Sequence, residues 1–148
     1  MKVKEFWKKS QLKRTYSSKS KYELKILEIL IDIFGKENVI NQYSSDLYPY
    51  HCDFYIKPLD LYIELQGHWT HGPHPFNEND ENDLKLLNTW IEKSNDNYYK
   101  HAIYTWTVRD IEKRNIAKQN NLNYLEIFGY NLKNTKKFIE DYLESFLI

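Results

Sequence analysis

The sequence predicts an α/β domain whose mixed sheet has about five strands, an antiparallel three-strand meander plus a parallel pair, flanked by helices. Three observations carry this. Apolar residues recur at helical spacing in several stretches, beginning with Leu24, Leu27, Ile31 and Phe34. Short runs rich in β-branched and aromatic residues, bounded by turn residues, lie between them. At 148 residues the chain is long enough for one sizeable core and short for two. The expected organisation is a basic arm over residues 1–19 and a single domain over 20–148.

The elements follow in order. Ile26, Leu30 and Ile33 widen the apolar face of the first helix, Gly35 closes it, and Ser20 and Glu23 have the Ser-x-x-Glu spacing of a capping box. Val39 to Tyr43, His51 to Ile56 and Leu61 to Gln66 read as strands whose connections are too short for parallel crossovers, hence a meander. Gly72-Pro73-His74-Pro75 excludes helix. Asn77 to Asp83 supplies acids and caps for a helix with Leu84, Leu87, Trp90 and Ile91 on one face. His101 to Thr107 alternates like a fourth strand. A helix capped by Thr107 or Asp110 then runs to about Asn120, with Arg109, Lys113, Arg114 and Lys118 on its exposed side. Tyr124 to Phe128 is the fifth strand, and the last helix has Phe138, Tyr142, Leu143 and Phe146 as its apolar stripe. Strand, helix, strand at the end implies a right-handed parallel pair.

Cys52 is the sole cysteine, which excludes a disulfide framework and a four-cysteine zinc site. No apolar run approaches a membrane span and no signal peptide is apparent, so the expected compartment is intracellular, that is, cytoplasmic. The net charge of zero hides an asymmetry: Lys2, Lys4, Lys8, Lys9, Lys13, Arg14, Lys19 and Lys21 stand against Glu5 alone in the first 21 residues. A basic arm on an acidic body suits a polyanion; a solvated tail is the plainer alternative.

The chemistry concentrates in Tyr50 to Ile56 and Leu61 to His71. Asp53 lies early in one strand, and Glu64 and Gln66 share a face of the next because side chains two apart on a strand point together. His68, His71 and His74 follow in a loop. Magnesium, with manganese as substitute, suits one or two carboxylates plus a carbonyl. Asp53, Glu64 and the Leu65 carbonyl form such a set.

A helix glutamate followed by a meander bearing Asp53 and Glu64-Leu65-Gln66 resembles the PD-(D/E)XK nucleases. Cys52 stands where that pattern has proline and Gln66 where it has lysine. Gly67-His68-Trp69-Thr70-His71 is similar to the very short patch repair endonuclease branch and to the phage homing endonucleases described by an EDxHD motif. The resemblance covers roughly residues 20 to 128. It implies a restriction-endonuclease-like fold and, for a chain of this kind, a phage-encoded protein acting in the host cell. Hydrolysis of double-stranded DNA is implied, with a long site read only as a homodimer or within a larger assembly. It implies roles for Glu23 as the helix glutamate, Asp53 as the metal aspartate and Gln66 as the variable position. His71 matches the proton-transfer histidine with His74 as competitor, and Asp80 or Asp83 the last aspartate. DNA contacts would come from Lys8, Lys9, Lys13, Arg14, Arg109, Lys113 and Arg114, with Trp69 entering the duplex.

Structural alternatives stand beside these roles. Glu23 has its capping box, Glu64 could face solvent, Trp69 could be core, and the basic residues of the 109 to 118 helix could form a solvated face. Two other classes stay open: an inactive DNA-binding module of nuclease fold, and an interaction protein stabilised by zinc on the loop histidines.

Overall fold

The computed structural model describes residues 21–129 and 131–146, the side chain of Phe146 excepted. The expected basic arm, with Lys8, Lys9, Lys13 and Arg14, and the capping residue Ser20 lie outside the described residues. Helix α1 spans Lys21–Phe34. Strands β1 (Val39–Tyr43), β2 (Cys52–Ile56) and β3 (Leu61–Leu65) follow. Helices α2 (Glu81–Glu92), α3 (Asn97–Tyr104) and α4 (Asp110–Gln119) come next, then β4 (Asn123–Ile127) and α5 (Leu132–Phe146).

The described sheet has four strands in the order β1-β2-β3-β4. The meander is antiparallel as expected, and β4 runs parallel to β3 with Leu61 opposite Asn123 and Leu65 opposite Ile127. The parallel pair is therefore not the one the spacing suggested, because residues 101–107 are not a strand. They belong to α3 and to a wide π turn, Thr105–Arg109, that runs on into α4. Asp96 starts α3 by accepting from the Tyr98 amide, and helical winding puts Ala102 and Trp106 on one buried face against Trp90. Trp106 donates its indole N–H to the His74 carbonyl at 2.8 Å. Alternation of small and aromatic residues fits i, i+4 burial as well as period two, and here the tertiary contacts choose helix. The whole run α2 to α4 thus serves as the crossover between β3 and β4.

Alternation along the strands separates two faces. Phe54, Ile56, Leu61, Ile63, Leu125 and Ile127 pack with Ile26 and Leu30 of α1 and Ile139 of α5. The opposite face carries Tyr62 with Tyr48, Cys52 and Ala117 of α4. Strand β3, buried along most of its length, is central. On α5 the packed stripe is Thr135, Ile139, Tyr142 and Leu143; Phe138, expected within it, is 47% exposed. Leu84 and Ile91 of α2 are likewise exposed, leaving Trp90 as that helix's buried anchor.

Gly72 fixes how the histidine loop meets this scaffold. Its φ is +70°, and a Cβ there would lie 2.2 Å from the Trp106 indole nitrogen. Both strain and collision oppose substitution. Gly72→Ala should cost about 2–4 kcal/mol, measurable as a lowered urea midpoint with unchanged slope.

Candidate active site

The β2–β3 ladder pairs Ile56 with Leu61, Tyr55 with Tyr62 and Phe54 with Ile63. Beyond Phe54, side chains take over the pairing of backbone amides, which cannot be left unsatisfied inside a fold. The Leu65 amide donates to Asp53 Oδ2 at 2.7 Å, and the Asp53 amide donates to Glu64 Oε1 at 3.0 Å. Each carboxylate thus clamps the other strand. From β1, Asn41 donates its amide to the Asp53 carbonyl at 2.8 Å. Gln42, at φ +59°, brings its amide only to 3.5 Å from Asp53 Oδ1.

One face of α4 locks this arrangement from the other side. Asp110, Lys113 and Arg114, spaced i, i+3 and i+4, point the same way. Lys113 Nζ lies 3.0 Å from Glu64 Oε2, which also accepts from the Tyr48 hydroxyl at 2.7 Å. Arg114 grips Glu126 with two bonds of 2.6 and 2.7 Å, and Gln66 donates to the same carboxylate at 3.2 Å. Asp110 Oδ2 lies 2.7 Å from His71 Nδ1.

These contacts correct several expectations. Lys113 is buried and Arg114 half-buried, so neither stands on an exposed phosphate-binding side. Glu64, 3% exposed, is not solvent-facing: one donor meets its Oε1 and two meet its Oε2. Gln66 is spent on Glu126. Arg109 is half-buried within the π turn.

Burial, and then the neighbouring Glu64 carboxylate, hold the Asp53 pKa well above the ordinary carboxylate range, against the opposing Leu65 amide and Lys113; Glu23 on α1 adds to the rise. Glu23, Asp53 and Glu64 therefore share one electrostatic neighbourhood. Burial, followed by Glu64, raises the Tyr48 hydroxyl far beyond its usual value, keeping it a donor. The same two causes raise the Cys52 thiol, which stays protonated and inert. Burial acts to lower the Arg114 pKa, but Glu126 outweighs it and the net shift is upward.

The three histidines go to three partners. His68 Nδ1 contacts the Thr70 hydroxyl at 2.9 Å, His71 pairs with Asp110, and His74 Nε2 lies 2.6 Å from Asp83 Oδ1. A zinc site on all three is not assembled. His71 pairs with Asp110, whereas Asp80 and Asp83, the expected candidates for the last aspartate, lie with His74. Asp80 caps α2, and donor atoms of His74, Asp80 and Asp83 lie within 4.8 Å of one another. Trp69, 40% exposed, leans on Trp90 and stacks with Tyr98 at 6.0 Å between ring centroids.

Asn41, Gln42, Tyr48, Asp110 and Lys113 were the participants least visible in the sequence. One signal pointed to the last two: residues 110–119 offer only Ile111, Ile116 and Ala117 as apolar residues, so a helix packed on the sheet there has to bury charge. No family model, curated protein or solved structure matches the chain.

Two measurements test the site's energetics. Lys113→Met leaves Glu64 buried and uncompensated, and should cost about 3–5 kcal/mol, largely recovered by adding Glu64→Gln; urea unfolding of the four proteins reads the coupling. For Asp53 the fold opposes the charged form, so the native state binds more protons than the unfolded chain from about pH 4 up to the raised native pKa. This group's contribution therefore falls as pH rises through that window. Asp53→Asn should unfold at higher temperature than the native protein at pH 8, by roughly 2–4 °C for each kcal/mol of relieved repulsion. The gap should close towards pH 4.

Proposed function

We propose that this chain is a metal-dependent DNA endonuclease with a restriction-endonuclease-like fold. The observation that carries the reading is the charge imbalance at the split end of β2 and β3. Glu23, Asp53 and Glu64 meet there with Lys113 as the ammonium among them, and the Asp53 pKa is raised accordingly. Among the described residues, Asp53 Oδ1 has only the long Gln42 contact. An all-oxygen, net negative donor set of this kind fits magnesium or manganese. Asp53 would hold the ion together with the Leu65 carbonyl, with Glu23 near enough to hold a coordinated water. When bound, the ion would supply charge neutralisation at a phosphate and a more acidic water.

The chain's own groups complete the chemistry. With Nδ1–H directed to Asp110, the His71 ring presents Nε2 as the atom that accepts or returns a proton. Asp110, 2% exposed, fixes that tautomer and would stabilise the imidazolium. His74 is the second candidate and has its own carboxylate, Asp83, but its side chain is 47% exposed against 17% for His71. Glu64 keeps β2 and β3 splayed at the distance that Asp53 requires. Gln66, being neutral and tied to Glu126, contributes no charge to the reaction. Trp69 and Tyr98 offer exposed aromatic surface beside the His71 turn for contact with double-stranded DNA.

The test is incubation with supercoiled and linear DNA in magnesium, manganese or chelator. Cutting should occur with either metal and stop with chelator. Asp53→Asn should abolish it, and His71→Ala should lower the rate about 10²–10⁴-fold. Asp53→Asn cutting at the native rate, with contaminating nuclease excluded, would overturn the reading. Metal-independent DNA binding without any cutting would indicate an inactive DNA-binding module instead.

A further inference from the structure

At the carboxyl ends of the parallel strands β3 and β4, a cavity of about 360 Å³ opens between the end of β4 and the first turns of α5. Glu126, Phe128, Gly129, Asn131, Asn134 and Phe138 line it. Crevices in this position, beyond the carboxyl ends of parallel strands, are where α/β sheets place ligands. We propose that the cavity takes one unpaired nucleotide of a nucleic-acid strand, its base against Phe138, beside the centre at Asp53; this rests on the nuclease reading.

The position comes first. Leu65, whose amide holds Asp53, is the register partner of Ile127, so the cavity begins one strand spacing, about 4.8 Å, from Leu65 and two from Asp53. Glu126 belongs to both places, lining the cavity while holding Gln66 and Arg114. On the opposite wall Thr135 contacts the Tyr22 hydroxyl at 2.7 Å, and Tyr22 precedes Glu23 on α1.

The chemistry of the walls selects the occupant. Phe138 turns away from the α5 packing stripe and is 47% exposed, an arrangement that wastes its apolar surface unless something covers it. Asn131 and Asn134 also line the cavity; Asn131 Oδ1 accepts from the Asn134 backbone N–H at 3.1 Å, and the Asn134 side-chain amide is the group able to pair with a base edge. The volume is in the range of small-ligand pockets and is too small for stacked base pairs. Exposed Lys133, Lys136 and Lys137 stand on other faces of the same first turns of α5. They add to the positive end of that helix in favouring a phosphate-bearing occupant. Seating an unpaired nucleotide here requires the strand beside the cut to be opened or already single.

The test uses thymidine 3′,5′-bisphosphate, one nucleotide with both flanking phosphates, and inorganic phosphate as control. Both are titrated into the full chain in chelator, followed by amide NMR. The bisphosphate should shift the Gly129 backbone and the Asn134 side-chain amide saturably, and phosphate alone should not. Base–aromatic stacking is worth about 1–3 kcal/mol, so Phe138→Ala should weaken binding roughly 5-fold or more, while Phe138→Trp should retain it. Because Phe138 is half exposed, the alanine variant keeps the fold, checked by its unfolding midpoint. Equal affinity of Phe138→Ala, or no shifts at Gly129 and Asn134, would overturn the proposal. Failure of the nuclease reading is seen separately, since this binding is measured without metal or cutting.

Discussion

The buried pair of Lys113 and Glu64 is the constraint on which the rest of the centre depends. A carboxylate at the middle of a sheet face is costly unless its charge is met and its lone pairs are used. Lys113, Tyr48 and the Asp53 amide meet that requirement together, and each belongs to a different part of the chain. Glu64 therefore holds α4 on the sheet, fixes the loop containing Tyr48, and keeps the end of β2 in register with β3 through a side chain in place of a backbone ladder.

Asp53 inherits the consequences. Its backbone is held by Glu64 and Asn41, and one of its oxygens by Leu65, so the carboxylate has little freedom to turn from its like-charged neighbours. The repulsion that raises its pKa is thus built in by covalent connection and strand pairing. Such imposed proximity of like charges is unfavourable for the fold by itself. The same helix that neutralises Glu64 carries Asp110 one turn earlier, which brings the His71 loop to the same end of the sheet. The His71 loop and the carboxylate cluster are coupled through a single rigid element.

Much of the fold was legible in local pattern. The meander, the helix closed by Gly35, the helix begun by Asp80 and the strand before Gly129 all follow from turn chemistry and periodicity. Residues 101–107 misled because Ile103, Thr105 and Thr107 alternate with Tyr104 and Trp106, and alternation says nothing about Ala102 meeting the Trp90 cluster. The terminal stripe erred in a related way. Phe138 is apolar and nearly in phase, yet Ile139 occupies the inward position because α5 rotates to pack on α1 and the sheet.

Of the site, the sequence by itself determined the carboxylates of Asp53 and Glu64 and the neighbouring histidines, because strand periodicity and short connections force them into one region. Tertiary structure alone decided which of them are engaged. It gave Glu64 to Lys113, His71 to Asp110 and Gln66 to Glu126, pairings between residues 39 to 60 positions apart in the chain. Local periodicity sets the direction of a side chain relative to its own element. Which partner it meets depends on how α4 is rotated and placed on the sheet, and that is decided by the burial of Ala117 and by the cost of leaving a charge unpaired beneath it.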